Sequence, residues 1–239
     1  MAEFPYTRLS PLGLALALAA VVLLRAPTGG PAQAANPDAT VLSGVATVID
    51  GDTLDIDGER IRLEGIDAPE ADQTCGGGPS GSWDCGRAAT NHLRSLVRGK
   101  HVGCETAGRD IYGRVLGSCT ASGRNINAEM VRSGHAWAFV RYSLRYQALE
   151  AEARGKRIGI WKGEAEPAWV FRADRWQTAK ARAPEGCVIK GNISANGRIY
   201  HMPWSPWYGE VRIEPGKGER WFCNEAEAAA AGFRPAMGY

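Results

Sequence analysis

The chain has no Cys-x-x-Cys pair, so the ligand spacing of a structural zinc site is missing. Histidine is scarce. Of the four present, His201 has neither a second histidine nor a close carboxylate beside it, which marks it as a hydrogen-bonded structural group rather than a metal ligand. Long apolar runs are lacking too. The stretch from Leu12 to Leu24 is too short to span a bilayer comfortably; with Arg8 before it and Ala32-Gln33-Ala34 after it, residues 1–35 read as an export signal. Arg25 closes the apolar run at once and the cleavage site lies far downstream, so an uncleaved anchor is the alternative reading. The expected location is therefore periplasmic or secreted.

Net charge is almost absent, at +2, but its distribution is polar. From Val41 to Gly86 ten acidic residues face only Arg60 and Arg62, whereas from Arg87 to Arg157 thirteen basic residues face five acidic ones. Solvated helix faces account for most such charges in most proteins. Beside an acidic, cation-binding stretch, a track for a polyanion gains weight.

The stretch VIDGDTLDIDGERIRLEGIDAPE, Val48 to Glu70, holds the densest chemistry. Asp50, Asp52, Asp67 and Glu70 offer the hard oxygens that Ca2+ prefers, and Arg62 offers a planar, always-charged fork suited to phosphate. Such crowding of opposite charges points to a metal-assisted reaction on a phosphoester. Leu54 and Ile56 alternate with polar residues, Asp57-Gly58 supplies a two-residue turn, and Ile61 and Leu63 resume the alternation. That register pairs Leu54 with Ile61. It also puts Asp52 and Arg62 on opposite faces unless a bulge or curl near Gly51 or Gly65 re-aims one strand.

Four motifs in order carry a resemblance: IDGDT, an arginine five residues before ID-x-PE, DIYGR at Asp110 to Arg114, and NAEMVRSGHAW. Over 41–163 the chain resembles the thermonuclease (staphylococcal nuclease) family. The resemblance implies an OB-fold barrel with appended helices, and hydrolysis of DNA and RNA with Ca2+ to leave 3′-phosphate ends. By the same resemblance Asp52 and Asp67 stand where the family has its calcium carboxylates. The carbonyl of Ala68 replaces a threonine carbonyl, and Arg62, Glu70 and Arg114 match the catalytic trio. The family's substrate-contacting pair of tyrosines follows the second helix; here that segment reads Phe139-Val140-Arg141-Tyr142, so only Tyr142 matches cleanly, with Tyr112 as the other substrate-binding candidate.

Six cysteines in an exported chain read as three disulfides, and spacing favours local pairs: Cys75 with Cys85, Cys104 with Cys119, and Cys187 with Cys223. Strands are expected over 41–49, 53–56 and 60–66, then a helix over 87–97 and a hairpin of 101–105 with 114–120. Asn125 is expected to cap a helix over 126–133, followed by an amphipathic helix over 143–154 and a further helix over 167–180 laid against the barrel. Five strands with interleaved helices give an α+β chain built on a five-stranded OB barrel. Residues 164–186 form a helix and linker, and 187–239 a small, disulfide-closed module rich in turns and aromatics. A monomeric nuclease acting on nucleic acid is expected. A non-catalytic OB module that only binds nucleic acid is the competing reading.

Overall fold

The first three strands follow directly from the alternation. In this computed structural model, which describes residues 41–78, 81–110 and 113–236, β1 (Val41–Val48), β2 (Thr53–Ile56) and β3 (Glu59–Leu63) form an antiparallel meander. Leu54 pairs with Ile61, and both side chains are fully buried. Asp57 and Gly58 turn the chain at φ of 53° and 86°, the positive values that a two-residue hairpin turn requires. The export signal over 1–35 and Tyr112 lie outside the described residues.

After β4 (Ile66–Asp67), the two-residue strands β5 (Cys75–Gly76) and β6 (Ser82–Trp83) form a ribbon before helix α1 (Cys85–Val97). Strands β7 (His101–Arg109) and β8 (Val115–Ala121) follow as a long hairpin. β7 pairs with β1, and β8 pairs in parallel with β3, placing Ile61 opposite Val115 and Arg62 opposite Leu116. These two pairings close a five-stranded OB barrel. Its interior is filled by Leu54, Ile61, Leu63, Val102, Ile126 and Met130, among others.

The short strand β9 (Arg124–Asn125) leads into α2 (Ile126–Arg132), and Asn125 caps that helix by accepting from the Ala128 N–H. β10 (Trp137–Ala138) pairs with β4, setting Trp137 opposite Asp67. The next helix, α3 (Gln147–Gly155), begins four residues later than its amphipathic pattern suggests. Residues 143–146 are spent in the turn that buries Tyr146 against Gly65.

Helix α4 (Ala168–Lys180) faces two ways. Trp169 stacks on Phe139 and meets Trp137 edge-on, while Trp176 packs into the core of the C-terminal part. That part comprises β11 (Ile189–Ser194), β12 (Gly197–His201), β13 (Arg220–Phe222), α5 (Glu225–Ala230) and β14 (Arg234–Pro235), with the four strands in one sheet. Disulfides join Cys75 to Cys85, Cys104 to Cys119 across β7 and β8, and Cys187 to Cys223. All the described residues fall in one compact unit, and no helix among them is long and apolar enough to cross a membrane.

Candidate active site

The hairpin register is regular, and no bulge interrupts β2 against β3. Asp52 nevertheless reaches Arg62, because it sits in a bend over 50–52 just before β2, where strand alternation no longer governs direction. Gly51 permits that bend: a Cβ there would lie 2.7 Å from the Cβ of Ala68. The bend is held from both sides. Asp50 Oδ1 accepts from the Asp52 N–H at 3.0 Å, and Asp52 Oδ2 accepts from the Ala68 N–H at 2.9 Å.

Arg62 projects from β3 between two carboxylates. Its Nη1 pairs with Asp52, and its Nη2 donates to Asp67 Oδ1 at 2.7 Å. Asp67 is fixed on β4 by the pairing with Trp137 and is wholly buried. Glu70 follows in the loop toward α1. Its N–H donates to Gln73 Oε1 at 3.1 Å, and buried Gln73 also donates through Nε2 to the Glu166 carbonyl at 2.6 Å. Gly86 lets the start of α1 close on this loop: a Cβ would stand 1.7 Å from the Glu70 carbonyl oxygen, which no side chain can do.

A fifth partner arrives from far along the chain. Arg172 on α4 donates from Nη1 to Glu70 Oε1 at 2.6 Å and to Asp67 Oδ1 at 3.2 Å, and from Nη2 to Asp67 Oδ2 at 2.8 Å. Sequence reasoning missed it. Within RADRW it sits one turn from Arg175 on what reads as a solvated helix face, and no local spacing encodes a contact to Asp67 or Glu70.

Burial sets the electrostatics. It pushes the Glu70 carboxyl up to about 7, against the lowering effect of Arg172, and raises Asp50 despite Arg62 nearby. The Glu70 side chain keeps 20% of its surface open, so it remains in reach of the cleft. Burial lowers Arg62. For Arg172 burial also pulls down, but Asp67 and Glu70 overcome it and the guanidinium ends above its usual range.

Asp52, Arg62 and Glu70 line a cleft of about 1200 Å³, and Ala68, Arg114 and Tyr142 line it with them, whereas the wholly buried Asp67 does not. Arg114 lines it from the return of β7 into β8, with its N–H and Nε held by Asp110 at 3.0 and 2.7 Å. Tyr142 lines it too, 72% exposed, with its ring 4.9 Å from that of Phe139. Ala68 lies against Asp52 through its N–H. The opposite wall comes from the C-terminal part, through Tyr200, Met202, Trp204 and Trp207.

The oxygen donors are of the hard kind that Ca2+ prefers. Asp50, Asp52, Asp67 and Glu70 crowd against the guanidinium groups of Arg62 and Arg172, so the cluster, fully ionised, keeps an excess of negative charge. Among the described residues no three acidic, histidine or cysteine side chains converge on one point. A cation here would therefore rest on a pair of carboxylates, with backbone and water oxygens completing its shell.

Comparison with known proteins agrees with this geometry. Residues 60–163 match the family model described as staphylococcal nuclease homologue, and residues 176–235 match one described as ArfC. Arg172 falls between the two matched stretches, and Asp52 precedes the first. An Escherichia coli protein named "Uncharacterized endonuclease" is 40% identical over 116 residues, covering 47% of this chain and 69% of that protein. The "Staphylococcal-like nuclease CAN1" of Arabidopsis thaliana is 33% identical over 118 residues, 48% of this chain and 33% of that protein. "Succinoglycan biosynthesis protein ExoI" of Rhizobium meliloti is 35% identical over 118 residues, 48% of this chain and 62% of that protein.

Proposed function

Because this chain belongs to the staphylococcal nuclease family, we propose that it is an exported, Ca2+-dependent nuclease that hydrolyses phosphodiester bonds of DNA or RNA and leaves 3′-phosphate ends. The observation that carries the reading is that Arg62 ties Asp52 to Asp67 and Arg172 ties Asp67 to Glu70, beside a cleft lined by Asp52, Arg62 and Glu70. Three disulfides support an oxidising compartment.

Asp52 and Asp67 would hold the cation, with the Ala68 carbonyl beside them. When bound, Ca2+ supplies neutralisation of charge on the phosphoryl oxygens. Arg62 and Arg114 bind the scissile phosphate with paired N–H donors aimed at oxygens that gain charge in the transition state, which is a task of preorganisation. Glu70 orients the attacking water and takes its proton at the carboxylate oxygen facing the cleft. Tyr112 and Tyr142 contact the substrate beyond the scissile bond. The barrel over 41–163 carries this chemistry, while 164–186 and 187–239 form the connecting helix and an accessory module.

Incubating the full chain with plasmid DNA tests the reading. Fragmentation with Ca2+, its loss in chelator and its return on adding Ca2+ are expected, with 3′-phosphate ends in the product masses. Retarded but intact DNA would instead support a protein that only binds nucleic acid. Undiminished cutting in excess chelator would overturn the cation assignment.

A further inference from the structure

Two separate parts of the chain build the cleft. One side is the barrel site; the other is the turn after β12, where Met202, Trp204, Pro206 and Trp207 face the same space. This turn is anchored. His201 at its base is buried between Asn192 Oδ1 at 3.1 Å and Ser205 Oγ at 3.4 Å, and the backbone closes through Ser205 N–H to Met202 O at 2.8 Å. Lys190 pins its far end by donating to the carbonyls of Tyr208 and Val211 at 2.7 and 2.9 Å. Trp204 is further supported by Trp176 of α4, their ring centroids 6.3 Å apart, and both Trp204 and Trp207 are half-buried. A rigid turn that spends two tryptophans on the wall of a reaction cleft holds flat, apolar faces at fixed positions.

We propose that this turn is a base-binding subsite, in which Trp204 and Trp207 receive the bases of a single-stranded nucleic acid whose phosphates run along the barrel side. The proposal rests on the nuclease reading and adds a role for the C-terminal part. Stacking on an aromatic face needs a base already out of a duplex, so the occupant is a single strand. On the barrel side Arg60, Arg109 and Arg114 line the cleft, and Arg234 joins them from β14. Acidic Asp55, Glu59, Glu64, Asp110 and Glu225 line it as well. Net charge therefore does not hold the strand. Guanidinium groups at individual phosphates and aromatic faces under the bases do, an arrangement tolerant of sequence.

The full chain, its Trp204→Ala/Trp207→Ala variant and the separate Trp204→Phe and Trp207→Phe variants are to be assayed on a single-stranded decanucleotide and on a mononucleotide diester. For the double alanine variant, KM on the decanucleotide is expected to rise by at least the roughly fivefold to hundredfold of losing one stacked base, and far less on the mononucleotide diester. The phenylalanine variants should recover most of that loss. A folded double variant with KM within twofold of the parent, or with equal losses on both substrates, overturns the subsite. A second measurement does not depend on the variant folding: photo-crosslinking a bromouracil-containing single strand to the parent in chelator. Adducts mapping to Trp204 or Trp207 support the proposal, and adducts confined to the barrel overturn it. If the parent cuts neither substrate yet crosslinks at this turn, the nuclease reading fails and the binding subsite stands.

Discussion

The barrel and the C-terminal part both bury charged and polar groups, but they treat them differently. In the C-terminal part each such group is satisfied by backbone or by a neighbour in the same fold. Lys190 donates to two carbonyls, Glu219 accepts from the N–H groups of Ile193 and Glu214, and His201 sits between Asn192 and Ser205. In the barrel, Asp67 and Glu70 are met by an arginine more than a hundred residues away, and acid still outnumbers guanidinium. Buried groups with local backbone partners are architecture. Buried charges drawn together from distant elements and left unbalanced toward a cleft are where chemistry is to be sought.

The strongest way to break that contrast is to keep charge while removing geometry. A guanidinium gives a phosphate two aligned hydrogen bonds, where an ammonium gives a point charge. Arg62→Lys and Arg114→Lys are each expected to lower turnover at saturating oligonucleotide by about a hundredfold or more, with melting little changed. In the C-terminal part, Arg220→Lys, on a side chain outside the cleft lining, should do nothing comparable. If both barrel variants cut within a few-fold of the parent, these arginines only track phosphate and the proposed trio is wrong.

Next in size is Arg172→Gln. Removing one partner of a partly buried ion pair leaves Glu70 without its cation and Asp67 with Arg62 alone, and a loss of about 2 kcal/mol in chelator is expected after discounting for its partial exposure. Added Ca2+ should recover most of that loss and bind the variant more tightly than the parent by calorimetry. Equal destabilisation with and without Ca2+ would make Arg172 a packing residue only.

These residues also show how far the sequence could be read. The Leu54–Ile61 register, the Asp57-Gly58 turn and the Asn125 cap are local rules, and the molecule obeys them. The contact of Asp52 with Arg62 conflicts with strand alternation until the bend at 50–52 is seen, because alternation holds only while the backbone stays extended. Arg172 was illegible for a different reason. Its partners are set by how α4 packs through Trp169 onto Phe139 and Trp137, and no periodicity within 168–180 reports that. The aromatic turn at 202–207 shows in the sequence only as composition, since its placement opposite the barrel site depends on the same packing.

Each region buries a histidine, which gives a smaller test. His135 stacks on His92 with ring centroids 4.1 Å apart; burial, with the charges of His92 and Lys162, holds it down at about 4. A histidine lowered in the folded state leaves stability intact above about pH 6.5, its unfolded value, and costs stability as pH falls from there toward 4, where the unfolded chain binds the proton first. With the ring partly exposed, roughly 1 to 2 kcal/mol should be lost across that window. His135→Asn should flatten the acid limb of a denaturation series more than His201→Asn, whose imidazole is lowered by burial and by Lys190. An unchanged acid limb would place the sensitivity elsewhere.

The smallest effect asks whether the two regions are separate at all. Both use the same device at a helix start: Asn125 Oδ1 accepts from the Ala128 N–H at 2.8 Å in the barrel, and Asn224 Oδ1 accepts from the Glu227 N–H at 2.8 Å in the C-terminal part. Loss of such a cap costs about 1 kcal/mol. Asn125 also donates to Ser118 Oγ at 3.0 Å, so Asn125→Ala should cost somewhat more than Asn224→Ala. The informative quantity is which transition moves. Trp176 and Ala179 of α4 pack against the core of the C-terminal part, while Ala168 of the same helix is buried with Trp137 and Ile160 in a cluster beside the barrel, so one helix is common to both hydrophobic clusters. Unfolding either cluster strips apolar cover from that helix and weakens the other, which couples the two. Both alanine variants are therefore expected to shift a single calorimetric transition, by amounts in the ratio of their losses. Two transitions, with Asn224→Ala moving only one of them, would mean that the C-terminal part folds by itself and that α4 is held by the barrel alone.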